Sequence, residues 1–281
     1  MRLPSLLLLV ALPATELVAQ GTCRPPKDAN ESELLAFFAA PIAFSPGGNV
    51  TALGAGRVRI GFEATYVPDP SDDIATSEYC YGNKTENTDL TPVFPRPRLA
   101  LGLGGGWAVE ASYIPPVTLL DAKPHLGSIA LSRLTSIGGT GLLLRAHATF
   151  GQVEGAITCP EDALQLTTTS QPCYGNEASE DTYKPNMYGV EAALTFVQSQ
   201  RVTGYAGAGY TALRPRFRVG FQDARPGIAY DDTKIVVNMT RIALFGGASF
   251  QVGRLMALMF ELYSVPEDVT TFRLGASYGW R

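Results

Sequence analysis

The sequence predicts an all-β fold: an antiparallel transmembrane β-barrel of about ten strands, with eight or twelve also compatible, preceded by a short helical segment. Three observations point there. The 281 residues are 17% charged and 46% hydrophobic, with 29 glycines and 10% aromatics, whereas an average soluble domain is nearer a quarter charged. Mean hydropathy is only +0.06, so the apolar residues are dispersed among polar ones rather than gathered in long runs. They alternate with polar residues at period two, and the connections between alternating segments switch between long and short. Strands with one lipid-facing face read this way. The net charge of −4 and pI of about 5.3 exclude the basic surface that nucleic acid requires.

The elements follow in order. Arg2, the apolar run Leu6–Leu12, Pro13 and the Leu17-Val18-Ala19 tripeptide match a secretory signal peptide over residues 1–19. The run is too short to cross a bilayer as a helix. Gln20-Gly21-Thr22 before Cys23 lacks the Leu-plus-two-small-residues pattern of a lipoprotein. No later stretch approaches the roughly 18 to 20 apolar residues of a spanning helix. A chain that enters lipid without such helices must close a barrel to satisfy its backbone.

Residues 20–53 form an N-terminal segment unlike the rest. Glu31–Pro41 reads as a helix, with Asn30 or Ser32 as cap, Leu34, Leu35, Phe37 and Phe38 on its apolar side, and Pro41 as its end. Residues 54–281 carry the barrel. The strands expected are 57–66, 98–103, 107–113, 125–134, 142–150, 187–196, 202–210 with a possible continuation to Phe221, 235–250, 255–263 and 270–281. In the first, Val58, Ile60, Phe62, Ala64 and Tyr66 oppose Arg57, Arg59, Gly61, Glu63 and Thr65. Long polar loops near 68–94, 156–184 and 215–234, with modest ones near 115–124 and 265–268, fall on one side. Short turns near 104–106, 135–140, 198–201 and 251–254 fall on the other. Outer-membrane barrels sort their loops in this manner, long outside and short on the periplasmic side.

Charge follows the same division. Arg57, Arg59, Glu63, Arg98, Glu110, Arg145, His147, Glu191, Arg241, Glu261 and Arg273 take lumen-facing positions, and the expectation is an ion-paired network that fills the interior. Arg133 is the exception, at a strand end where it reaches headgroups. A charge facing lipid at the midplane costs about 2–4 kcal/mol, which explains the segregation. Tyr66, Trp107, Tyr113, Tyr188, Tyr210, Tyr278 and Trp280 are placed to form aromatic belts.

With its signal peptide, alternating strands, loop parity and aromatic last strand (Phe272 to Trp280), the chain resembles the bacterial outer-membrane β-barrel superfamily over about residues 54–281. The resemblance implies a Gram-negative outer membrane, contact with its lipid, and assembly by the barrel assembly machinery. That machinery usually reads a terminal aromatic residue, whereas this chain ends Trp280-Arg281.

Four cysteines in an exported chain suggest disulfides. Cys159 and Cys173 share one loop and are paired on that ground, which leaves Cys23 and Cys80. Cys80-Tyr81-Gly82-Asn83 repeats as Cys173-Tyr174-Gly175-Asn176, either a trace of duplication or one stable turn used twice. A Cys23–Cys80 bond would send the N-terminal segment through the lumen as a plug. The alternative is a disordered or periplasmic N-terminus with Cys23 unpaired.

Motifs for chemistry are sparse. His147 lies two residues from Thr149, but no orienting acid or oxyanion site accompanies them. Asp72-Asp73 and Asp231-Asp232 are paired loop carboxylates without a histidine neighbour, since the only other histidine is His125. Gly102–Gly106 lacks the following helix and lysine of a phosphate loop. The sequons at Asn30, Asn49, Asn83 and Asn238 are triplets frequent by chance. No cofactor or metal is expected. The functional expectation is a non-enzymatic barrel with a structural, surface-interaction or limited-permeation role, its long loops available to an extracellular ligand. A narrow channel for small polar solutes is the alternative, and a lipid hydrolase or protease the third class.

Overall fold

Alternating residues drive one sheet to close on itself. The computed structural model describes residues 21–80, 84–88, 92–118, 121–199, 201–228 and 230–280, without the side chains of Gln198 and Trp280. The expected signal peptide and the Tyr81-Gly82-Asn83 half of the repeat lie outside the described residues.

Ten antiparallel strands form the barrel: β1 (Val58–Tyr66), β2 (Val93–Gly104), β3 (Trp107–Ile114), β4 (Ala122–Ile137), β5 (Thr140–Gly155), β6 (Met187–Ser199), β7 (Val202–Leu213), β8 (Met239–Val252), β9 (Met256–Val265) and β10 (Val269–Trp280). Each pairs with its neighbour in sequence, and β10 closes the circle on β1 from Phe272↔Tyr66 to Trp280↔Val58. The expected strand 7 ends at Leu213 rather than reaching Phe221, because Pro215 follows and Arg216–Arg218 pairs elsewhere. The expected strand 8 likewise loses its start: Lys234–Val236 is a separate strand and β8 begins at Met239.

The burial pattern is inverted relative to a soluble protein. In β1, Phe62 is 54% exposed and Glu63 is fully buried; in β10, Leu274 is 60% exposed and Arg273 fully buried. Tyr66, Trp107, Tyr113, Tyr188, Tyr210 and Tyr278 all lie on the outer face. Tyr66, Tyr113, Tyr188 and Tyr210 sit toward the long loops, while Trp107 and Tyr278 sit toward the short turns. Arg133 stacks on Trp107 beside the short turns, 5.3 Å from the ring centroid. The β4–β5 turn uses Gly138 and Gly139 at φ +59° and +88°, a conformation that L side chains resist.

On the long-loop side, Asp181–Lys184 pairs antiparallel with the end of β5, Arg216–Arg218 pairs with it, and Lys234–Val236 pairs with that in turn. Thr22–Cys23 completes this annex in parallel, Thr22↔Lys234. Cys23 bonds to Cys80 and Cys159 to Cys173. The described residues therefore begin at the long-loop end. Helix α1 (Asn30–Ile42) then lies inside the barrel, with most of its residues buried. Its N-cap is Ala29 rather than Asn30 or Ser32. The Ser32 hydroxyl donates to the Pro26 carbonyl, and the Asn30 amide reaches the Asp73 and Thr76 carbonyls. Pro41 lies within the last turn, where it has no N–H for the carbonyl four residues back, and the helix ends one residue later. Residues 43–50 continue inside, and the chain leaves at the short-turn end, where the Gly56 amide donates to the Gly102 carbonyl.

Candidate functional site

The site is the contact between the inserted segment and the barrel wall. A helix C-terminus leaves carbonyls without intrahelical donors, and here the residues that carry them are buried. Four arginines do so. Arg273 donates to the Ala40 carbonyl (3.1 Å), the Ala43 carbonyl (2.9 Å) and the Ser45 hydroxyl (2.6 Å). Arg96 donates to the carbonyls of Ala43 and Ile42, and Arg145 to that of Phe44. Arg98 donates to the Ser45 carbonyl at 2.8 Å and the Pro46 carbonyl at 3.2 Å. Cations here also face the negative end of the helix dipole. The Phe44 ring is fully buried among three of these guanidinium groups, at 4.4 Å from Arg98, 4.8 Å from Arg145 and 5.4 Å from Arg96.

Four glutamates balance the four arginines. Glu63 meets Arg98 at 2.6 Å, Arg96 at 3.6 Å and Arg273 at 3.9 Å. Glu110 meets Arg98 at 2.8 Å and Arg145 at 3.5 Å, and accepts from Asn49 at 2.9 Å. Glu191 meets Arg145 at 2.7 Å. Glu261 accepts from the Ser45 hydroxyl, the Gly47 amide (3.1 Å) and the Tyr205 hydroxyl (2.7 Å), with Arg273 at 3.9 Å. The Tyr205 hydroxyl in turn accepts from the Gly48 amide at 3.1 Å. Near the long loops, the Tyr183 hydroxyl donates to the Leu35 carbonyl at 2.8 Å.

Glu63, Arg98, Glu110, Arg145, Glu191, Glu261 and Arg273 thus come together. Three residues expected with them do not. Arg57 is exposed at the short-turn end with no ion-pair partner among the described residues. Arg59 holds the departing segment through Asn49 (2.9 Å) and Thr51 (3.1 Å). Arg241 belongs to the long-loop rim, paired with Asp268 at 2.9 Å and Glu267 at 3.3 Å. Arg96 was missed because the second strand was expected to start at Arg98. The i, i+2 relation to Arg98 is the signal that places it inside.

His147 is buried, with Nε2 at 3.6 Å from Glu191. The Thr149 hydroxyl bonds to Ser128 at 2.9 Å, not to His147, so no nucleophile–base contact exists between them. Asp72 and Asp73 open a short helical turn, and Asp231 accepts from the Thr233 amide at 2.9 Å. No group of three or more His, Cys, Asp or Glu suited to a metal occurs among the described residues.

At the helix start, Glu31 Oε1 accepts from the Ser77 hydroxyl (2.7 Å) and the amides of Glu78 (3.0 Å), Tyr79 (2.7 Å) and Cys80 (2.8 Å). Burial pushes this carboxyl upward. Donation from Cys80, Ser77 and Tyr79 outweighs that and holds it below the usual glutamate value. One carboxylate thus clamps the segment next to the Cys23–Cys80 bond.

Two cavities flank the inserted segment. A polar one of about 320 Å³ opens at the short-turn end, with Arg57, Arg59, Arg201 and Arg254 in its lining. An apolar one of about 240 Å³ lies beside α1 at the long-loop end.

No family model matches the chain, and no curated protein matches it. Among solved structures, it is similar to Ail, the attachment invasion locus protein of Yersinia pestis, at 14% identity and TM-score 0.33, over 80% of this chain and 99% of that one. The translocator domain of autotransporter NalP from Neisseria meningitidis gives 11% identity and TM-score 0.35, over 83% and 91%. The Ralstonia pickettii toluene transporter TbuX gives 11% identity and TM-score 0.33, over 93% and 98%.

Proposed function

We propose that the chain is exported to a Gram-negative outer membrane. There it stands as a non-enzymatic barrel whose lumen is closed by its own N-terminal segment. The role is structural or surface-directed, and polar solutes pass slowly at most. The observation that carries this reading is the set of barrel arginines that bind the carbonyls of residues 40–46 across the lumen. Lipid meets the apolar outer face, the barrel assembly machinery inserts the chain, and the long loops present a surface to an extracellular ligand.

The test is heat-modifiability followed by bilayer conductance. The unheated protein, taken from outer membranes, is expected to migrate differently from the boiled one and to conduct little. Deletion of residues 24–45 is expected to raise single-channel conductance severalfold. Equal conductance with and without the segment would remove the plug. A soluble protein with no gel shift would remove the membrane barrel itself.

A further inference from the structure

The inserted segment leaves the barrel off-centre. Its last residues are pressed against β2: the Gly56 amide donates to the Gly102 carbonyl at 2.8 Å, and the Gly102 amide to the Arg57 carbonyl at 2.9 Å. A Cβ on inward-facing Gly102 would collide with the carbonyls of Leu53 and Gly54. The arc of wall from β7 round to β1 stands away from the segment, and the polar cavity of about 320 Å³ lies between them. Small residues of that arc, Ala257, Ser277 and Gly279, leave it room.

Four arginines line this cavity. Arg57 precedes β1 and Arg59 lies on it, while Arg201 comes from the β6–β7 turn and Arg254 from the β8–β9 turn. No aspartate or glutamate is in the lining, and none of the four has a carboxylate within 4 Å among the described residues. Arg59 is tied to Asn49 and Thr51; Glu110, which Asn49 also contacts, is engaged by Arg98 and Arg145. The deeper network sets four glutamates against four arginines, whereas the lining of this mouth carries cations alone. The hydroxyls of Thr203, Ser249 and Ser277 are half-buried on the wall, without a hydrogen-bond partner among the described residues. Thr203 and Ser249 sit directly opposite each other on β7 and β8.

We infer that this cavity binds a phosphate group carried on a small polar molecule, which enters from the short-turn side. An anion among four like charges removes their mutual repulsion, and guanidinium groups pair with phosphate in a two-pronged fit. The donors come from β1, two turns, β7, β8 and β10, and so from several directions. The oxygens of a tetrahedral phosphate meet such a set, whereas those of a carboxylate lie in one plane. A neutral sugar would leave the four charges uncompensated. The volume far exceeds the roughly 10–15 Å³ that one water needs, so the body that carries the phosphate fits as well. The inference rests on the membrane-barrel reading for its side of entry, and it adds a ligand class. The phosphate has two sources, a soluble phosphorylated compound or the headgroup of a phospholipid in the adjoining leaflet.

The test uses the full chain in maltoside micelles free of phospholipid, titrated calorimetrically with glycerol 3-phosphate at low ionic strength. Saturable binding of one molecule per chain is expected, weaker as salt rises. Arg57→Gln with Arg201→Gln is expected to weaken it at least about tenfold, since charge-assisted hydrogen bonds are lost. Ser277→Leu keeps every charge but fills the cavity, and is expected to weaken it as much; where it does not fold, Ala257→Val takes its place. Arg133→Gln, at an exposed arginine of the same end but on the outer face, is expected to leave binding unchanged. In a second arm, phosphatidylglycerol is added to the micelles and retained lipid is read by native mass spectrometry. A lipid held by the parent, lost in Arg57→Gln with Arg201→Gln and displaced by glycerol 3-phosphate would make the headgroup the source, and the site stands. Acetate bound as tightly as glycerol 3-phosphate would overturn the phosphate assignment. No saturable heat, or binding equal to the parent's in Ser277→Leu and its replacement, would reduce the mouth to a diffuse positive field and overturn the site. The gel shift of each variant is read in parallel, so a failed barrel is distinguished from a failed site.

Discussion

Arg273→Met separates an electrostatic role for the network from simple filling. The side chain is fully buried, and methionine roughly keeps its volume and its apolar stem. The acceptors it leaves keep other donors: Arg96 still serves the Ala43 carbonyl, the Ala43 amide the Ala40 carbonyl, and the Ser45 hydroxyl still bonds to Glu261. Glu63 retains Arg98 at 2.6 Å. Glu261 does not fare so well. Among the described residues Arg273 is its only cation within 4 Å, and its remaining partners are the neutral groups of Ser45, Gly47 and Tyr205. The four-to-four balance becomes three to four among buried side chains. A buried ion left without its partner costs about 3–5 kcal/mol. Urea unfolding of the barrel in phospholipid vesicles, followed by tryptophan emission, measures it. Adding Glu261→Gln to Arg273→Met is expected to recover about 1–3 kcal/mol, the coupling typical of neighbours in one network. Arg57→Ala, at an exposed residue with no ion pair among the described residues, is expected to stay within about 0.5 kcal/mol. If Arg273→Met unfolds at the wild-type midpoint, or if Glu261→Gln only adds to its loss, charge balance is not what holds the segment.

Three further outcomes follow from the same geometry. The Cys23–Cys80 bond closes a sequence separation of 57 and the Cys159–Cys173 bond one of 14, so chain entropy gives about 4 and about 3 kcal/mol respectively. Serine replacement of the first pair is expected to raise channel noise as well as lower stability, and of the second pair to lower stability alone; bilayer recordings distinguish them. Glu31 has a folded pKa below its ordinary 4.5, so its clamp contributes stability above about pH 4.5 that is lost as pH falls through the folded value. Glu31→Gln is expected to flatten that acid slope, and an unchanged slope in acid titrations of unfolding would assign it to other carboxylates. Phe44→Ala is expected to cost about 3–5 kcal/mol, since the ring fills the space among three guanidinium groups; differential scanning calorimetry reads it as a lower Tm.

The barrel was legible in the sequence because its two faces have opposite chemistry. Phe62 beside Glu63 and Leu274 beside Arg273 state the inside and outside of a strand in two letters. Elements bounded by tertiary context were less legible. Arg96 lies just before the expected start of the second strand at Arg98, yet the strand begins at Val93 and runs through Pro95 and Pro97, which have no N–H to give to a ladder. Arg241 and Arg57 have the parity of interior residues but sit at opposite ends of the barrel, and parity carries no information about depth. Nor could local sequence distinguish a lumenal helix from a periplasmic one. Glu31–Ile42 packs apolar residues around most of its circumference, and what places it inside is Cys80, nearly fifty residues away.

The chemistry of the interior follows from what the inserted segment lacks. After Ile42 the chain leaves the helix and crosses the lumen with carbonyls that no β-ladder serves. Serine or asparagine on the wall would supply one or two donors each, from short side chains. Arginine supplies five in a planar fork on a long stem, so Arg98 reaches two carbonyls of the segment and two carboxylates of the wall at once. The four glutamates are then required by the arginines, since uncompensated guanidinium groups repel one another in a low dielectric. This order of dependence, carbonyls first, arginines second and glutamates third, implies that truncating residues 40–46 injures the wall as well as the lumen. A barrel deleted of 24–45 is therefore expected to keep its gel shift yet unfold at lower urea, and the deficit is expected to shrink at high ionic strength as anions from solution enter to screen the exposed arginines.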